Sequence, residues 1–246
     1  MLGSLRDVSA DPMSWLVSLE GVPSAFAATR DGIDALLRDR GLRRTSPEQT
    51  AASLLRGAHA SAVLEGSSST FEEVAEGAGD AIAVDAVRVS TELLSLVPVL
   101  GRSPLQALAR IHALASASSL PEERRGRPRD ASSADRLRSL AEVLLAETEA
   151  PALMVAALVH ADLATAAPFP SHNGIVARAA ERLVLVARGV DPASLTVPEA
   201  GHLAHRAAYE SNLRGYASGD DSGIHSWLLY APEAFASGAD ASPLRS

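Results

Sequence analysis

The chain has 246 residues and a formal net charge of −8, and is 47% hydrophobic but only 4% aromatic. That length can bury a real core within one large domain, and the acidic balance argues against a nucleic-acid binder, which needs a basic face for phosphates. Cysteine and lysine are both absent, which excludes disulfides, thiol catalysis, zinc–thiolate sites, Schiff-base chemistry and a P-loop lysine.

Richness in Ala and Leu predicts an all-α fold of helices packed closely through small residues. Residues 1–30 carry scattered apolar anchors (Trp15, Leu16, Leu19, Val22, Phe26) and read as short helical pieces, with an amphipathic helix over 31–40. Residues 1–44 thus form an N-terminal helical segment on a main domain of 45–236, and the tail 237–246 is expected to fray. Ser46-Pro47-Glu48-Gln49 marks a helix start, with serine at the N-cap, proline at the first helical position and Gln three after the cap. The helix runs over 47–65 and stops at Gly66, where a left-handed cap residue belongs. Thr70 and Glu73 form a second capping box. Further helices are expected over 85–97, stopped by Pro98, and from Ser103-Pro104 onward with His112 on its flank. No apolar run is long enough for a bilayer and no basic-then-apolar start is present, so the expected location is cytoplasmic, without membrane contact.

Residues 117–135 differ in character, with Pro121, Arg124, Arg125, Gly126, Arg127, Pro128 and Arg129 around one large apolar side chain, Leu120. They read as an exposed basic loop. Helix returns over 133–148, and Pro151 opens an apolar run. His160 and Asp162 in it are two apart, point away from each other and form no metal pair; His160 reads as structural. A helix over 199–217 places His202 and His205 at i, i+3, but no third ligand is evident and they read as a solvated pair rather than a metal site. The last helix spans 223–235, bent or broken at Pro232.

Between the apolar runs 152–167 and 175–186 lies Ala167-Pro168-Phe169-Pro170-Ser171-His172-Asn173-Gly174. This is a sharp loop feeding a helix start, where free N–H groups and the helix dipole can cradle an anion. Arg178 stands about one turn into that helix, on the face of Gly174, and could add charge to the same anion. A plain helix–helix connection accounts for the same residues.

The segment resembles the Fic (Fic/Doc) family motif, H-P-F-x-[DE]-G-N-G-R-x-x-R. Pro168, Phe169, Asn173, Gly174 and Arg178 match; Ala167 replaces the motif His, Ser171 the acid, His172 the first Gly and Ile175 the first Arg. Upstream, Ser61-Ala62-Val63-Leu64-Glu65-Gly66 resembles the family's inhibitory-helix motif [ST]-x-x-x-E-[GN]. The resemblance implies a Fic-type helical bundle with a short flap before the central helices, in which Gly126, Arg127 and Arg129 would sit, in the family often a β-hairpin that holds a protein target. It also implies AMP transfer from ATP to a protein hydroxyl, with the motif His as base, the acid on Mg²⁺, the Gly-Asn-Gly loop on the phosphates, and an inhibitory Glu on the second arginine, here Glu65 on Arg178. Applied residue by residue, Ala167 accepts no proton, and a missing general base lowers a rate by ~10²–10⁴. Ser171 is a poor Mg²⁺ ligand, Ile175 brings no charge, and the side chain of His172 crowds a backbone that must approach phosphate.

Three readings stay open. The first is a Fic-fold binding or scaffold module without ordinary AMP transfer, whose partial phosphate site uses Ser171, His172, Asn173, Gly174 and Arg178 for ATP or another phosphate-bearing ligand. The second is a divergent adenylyltransferase with His172 as base, autoinhibited by Glu65. The third is a helical protein with no ligand. A homodimer fits any of them.

Overall fold

The computed structural model describes residue 11, residues 13–38 and residues 46–245. Among them are twelve α-helices: α1 (Val22–Leu36), α2 (Pro47–Leu64), α3 (Phe71–Ala75), α4 (Ala81–Leu93), α5 (Val97–Leu100), α6 (Pro104–Ala115), α7 (Ala131–Leu145), α8 (Ala152–Ala166), α9 (Asn173–Ala187), α10 (Pro198–Ala204), α11 (Arg206–Ser218) and α12 (Asp221–Asp240). Local chemistry sets several starts. The Ser46 hydroxyl accepts from the Gln49 N–H and the Gln49 amide oxygen accepts from the Ser46 N–H, a full capping box opening α2, and Thr70 with Glu73 repeats it for α3. Asp80, Asp130 and Asp220 cap α4, α7 and α12.

The centre is the antiparallel pair α8–α9. Every residue from Leu153 to Leu163 and from Ile175 to Leu185 is buried, so both helices are enclosed on all sides rather than on one stripe. The other helices pack around this pair, α12 against α1, α8, α10 and α11, and α2 against α4, α9 and α10. The Trp227 indole N–H donates to the Ala157 carbonyl at 2.9 Å and fastens α12 to α8. Glycine allows the closest approach: a methyl at Gly201 would overlap the Ala234 carbonyl, so α10 and α12 touch backbone to backbone.

The all-α architecture is present, and the differences from expectation lie at proline, in the tail and in the basic loop. Pro98 opens α5 rather than stopping a helix, because its missing N–H has no partner to lose in a first turn. Pro232 lies inside an unbroken α12, held by Trp227 and Leu228 before it and Ala234 and Phe235 after it, all buried. Residues 237–245 do not fray: α12 continues to Asp240, Ser242 and Leu244 are buried, and Arg56 donates to the Ala241 carbonyl. The helix expected over 31–40 is the end of a longer α1 starting at Val22, while residues 39–45, with the proposed 44/45 boundary, lie outside the described residues. The 199–217 run is two helices meeting at His205. No strand occurs among the described residues, so 117–130 is no hairpin but turns and one 3-10 turn at Glu122–Arg124. Nor are all its arginines solvated, since Arg125 donates to the carbonyls of Leu120 and Ala117. No helix among the described residues is long and apolar enough to cross a membrane.

Gly201→Ala is expected to lower stability by at least ~2 kcal/mol through overpacking at the α10–α12 contact. Gly101→Ala, where an added methyl meets nothing within 4 Å, should stay within about 0.5 kcal/mol of the parent. Urea midpoints of the two variants measure the difference.

Candidate functional site

The loop between α8 and α9 is shaped by its ends. Ala167 closes α8 with φ 44° and His172 caps α9 with φ 55°, both in the left-handed region that side chains rarely occupy. Asn173 holds the turn between them: its Oδ1 accepts from the Phe169 N–H and its Nδ2 donates to the Phe169 carbonyl, each at 2.9 Å. Phe169 is buried and stacks on the His112 ring at 4.4 Å. His112 in turn accepts from the Gly126 N–H at Nδ1, 2.9 Å away, and the Arg129 N–H donates to the Pro168 carbonyl at 2.8 Å. The basic segment is therefore fastened to the loop at two points. Gly126 has φ 71°, and a methyl there would press on the Ala109 carbonyl, so glycine is required.

Arg178 is fully enclosed and has a partner for each nitrogen. Nε donates to the Ser61 hydroxyl (2.9 Å), Nη1 to the Tyr209 hydroxyl (3.1 Å), and Nη2 to the Ser61 carbonyl (3.2 Å) and the Glu65 carboxylate (2.7 Å). Burial pulls its pKa down, but Tyr209 and Glu65 outweigh burial and leave it raised, so the guanidinium stays charged. Glu65, a quarter exposed, also lies directly over Gly174, where a methyl would overlap its carboxylate. One turn further along α9, Arg182 pairs through two nitrogens with Glu199 (2.9 and 2.6 Å) and donates to the Ser53 hydroxyl (3.1 Å).

Behind Arg178 runs a buried polar chain. The Tyr209 hydroxyl meets His160 Nε2 at 2.9 Å, His160 Nδ1 faces Glu181 Oε1 at 3.0 Å, Glu181 Oε2 meets His202 Nε2 at 2.9 Å, and His202 Nδ1 meets the Tyr230 hydroxyl at 2.9 Å. Burial pushes His160 down to about 4 against the pull of Glu181. Burial alone would raise Glu181, yet the two histidines hold it down at about 2, so it is a carboxylate. A cavity of about 310 Å³ opens beside the end of α8, lined by Arg129, Ser133, Arg136, Thr165 and Tyr216 among others.

No protein-family model and no curated protein matches the sequence. Solved structures do. The chain is similar to a Fic family protein from Desulfovibrio desulfuricans, with TM-score 0.73 and 17% identity over 91% of this chain and 74% of that one. It is also similar to Fic-1 from C. elegans, with TM-score 0.65 and 15% identity over 93% of this chain and 73% of that one. The chain has the Fic fold.

On that fold, the structure brings Ser61, Glu65, Gly174 and Arg178 together, and Gly66 ends α2 with φ 95°. Ala167, at the motif-His position, presents only a methyl group to the loop. The amide of Asn173 is spent on Phe169, so its side chain braces the loop. Ser171 and His172 bond to each other, Oγ to Nδ1 at 2.7 Å. Arg127 and Arg129 are exposed. The supposed solvated pair is a correction: His202 is buried on Glu181 and Tyr230, while His205 bonds Ser237. His112 is likewise buried, not on a flank. The reading of the sequence missed Arg182, Glu199, Tyr209 and the His160–Glu181–His202 cluster, whose members lie far apart in sequence in no recognised spacing.

Arg178→Ala should lower stability by ~3–5 kcal/mol, because it strands partly buried partners. Glu65→Gln should cost only about 1–2 kcal/mol, since Ser61 and Tyr209 still hold the guanidinium. Chemical denaturation of both variants gives the comparison. His112, which burial and the nearby His172 push down to about 4, accepts from Gly126 only when unprotonated. Between pH 6.5 and 4 the unfolded chain binds a proton at His112 that the folded chain refuses, so stability falls as pH drops through that window and levels off below it. The drop from this histidine should be roughly 3 kcal/mol, and a His112→Gln variant should show a flatter profile of urea midpoint against pH.

Proposed function

We propose that this protein is a Fic-fold binding module for a phosphate-bearing ligand, held closed by Glu65, and that it does not carry out ordinary AMP transfer. The observation that carries the proposal is the Glu65 carboxylate lying on Gly174 at the start of α9 and on Arg178. A negatively charged group already sits where the helix N-terminus and a buried guanidinium favour one. Ala167 offers no base, Ser171 no carboxylate for Mg²⁺, and Ile175 no second charge, so binding is supported better than catalysis. ATP, ADP and inorganic phosphate share the chemistry this site would take.

A second reading has one observation in its favour. His172 is oriented by Ser171, and its Nε2 has no hydrogen bond among the described residues, so it could serve as a base in a divergent adenylyltransferase. A protein partner at 126–129 belongs to both readings. The N–H groups of Gly126 and Arg129 are engaged and Pro128 has none, so Arg127 and Arg129 would hold such a partner by charge rather than by strand addition.

Glu65→Gly should raise affinity for ATP or phosphate at least tenfold in calorimetric titration, with no label transferred from α-labelled ATP to the protein. Transfer of label by Glu65→Gly would overturn the binding-module reading and support the second. Absence of binding by both parent and variant would overturn both and leave a helical protein with no ligand.

A further inference from the structure

The three side chains at the middle of the buried chain come from three helices: His160 from α8, Glu181 from α9 and His202 from α10. All are wholly enclosed, and one ligand-type atom from each lies within 4.8 Å of the others. The carboxylate turns one oxygen to each imidazole, at 3.0 and 2.9 Å. Only the second contact has the alignment of a hydrogen bond. His160 Nδ1 and Glu181 Oε1 are paired at 3.0 Å, off the hydrogen-bond line and out of reach of water. A buried contact so poorly aligned leaves room for an ion as a further partner of both atoms. Close approach without alignment is also what results when lone pairs point at a shared third atom rather than at each other.

The surroundings fit such an atom. The remote nitrogen of each histidine is held by a phenol, His160 Nε2 by Tyr209 and His202 Nδ1 by Tyr230. Outer contacts of this kind fix ring orientation at metal centres. The neighbouring guanidiniums are already matched, Arg178 by Glu65 and Arg182 by Glu199, leaving the Glu181 charge for the cluster. We propose that His160, Glu181 and His202 form a structural site for a divalent ion of the zinc class. Two imidazole nitrogens and a carboxylate suit zinc or cobalt, whereas calcium and magnesium take oxygen ligands throughout. The site ties α10 to the α8–α9 pair behind Arg178. Being enclosed, it fills as the chain folds rather than by diffusion into the folded protein.

The full chain without an affinity tag is unfolded with chelator, then refolded with Zn²⁺, with Co²⁺, or with chelator present. After exhaustive dialysis, one equivalent of zinc by mass spectrometry, visible absorption of bound Co²⁺, and a thermal midpoint above that of the metal-free sample are expected. Glu181→Gln and His202→Gln should each retain at least tenfold less metal. Less than a tenth of an equivalent in the parent, with no Co²⁺ absorption, would overturn the site and leave a purely hydrogen-bonded cluster. Equal retention by parent and variants would also overturn it. The Co²⁺ spectrum of the parent keeps the test decisive if either variant fails to refold.

Discussion

Two arginines one turn apart on α9 hold α2 to the centre of the molecule. Arg178 takes Ser61 and Glu65, and Arg182 takes Ser53 while pairing with Glu199. Both guanidiniums are removed from water, a state that is tolerable only because nearly every donor has a partner. The approach is close: a methyl at Gly57 would press on the Arg182 guanidinium and the Glu199 carboxylate. Small residues on α2 (Ser53, Gly57, Ser61) thus make the groove in which two long cations lie.

The loop before α9 depends on a second set of contacts. Asn173 closes it over Phe169, Phe169 rests on His112, and His112 receives Gly126. The loop before α9 and the basic segment are consequently one unit, joined through a neutral histidine. The same residue makes the unit acid-sensitive, because protonating Nδ1 removes the acceptor that Gly126 uses.

Much of this was readable in the sequence where the signal is local. Ser46 with Gln49 and Thr70 with Glu73 fix helix starts through contacts three residues apart, and the apolar runs around Ala167-Gly174 locate the central pair. Pairing Glu65 with Arg178 needed a resemblance, because nothing local links residues on two helices. What stayed hidden is held by distant partners. Pro232 is carried through α12 by packing, the tail is covered where Ser242 and Leu244 meet the body, and Arg125 is turned inward by carbonyls of its own loop. His202 reads as a surface residue beside His205 until α10 is laid against α9 and Glu181.

The anchoring of α2 decides how its end can move. With Ser53 and Ser61 both tied down, the helix cannot slide or lift without breaking buried bonds to two guanidiniums. Glu65 lies at the last residue before the left-handed Gly66, and is the one member of the set with a quarter of its side chain in solvent. Vacating the space above Gly174 is therefore a matter of breaking one ion pair and rotating one side chain about its own bonds, which leaves the scaffold standing. In the binding module proposed above, such a side chain would act as a gate set by local competition between anions, with a threshold that a single substitution tunes.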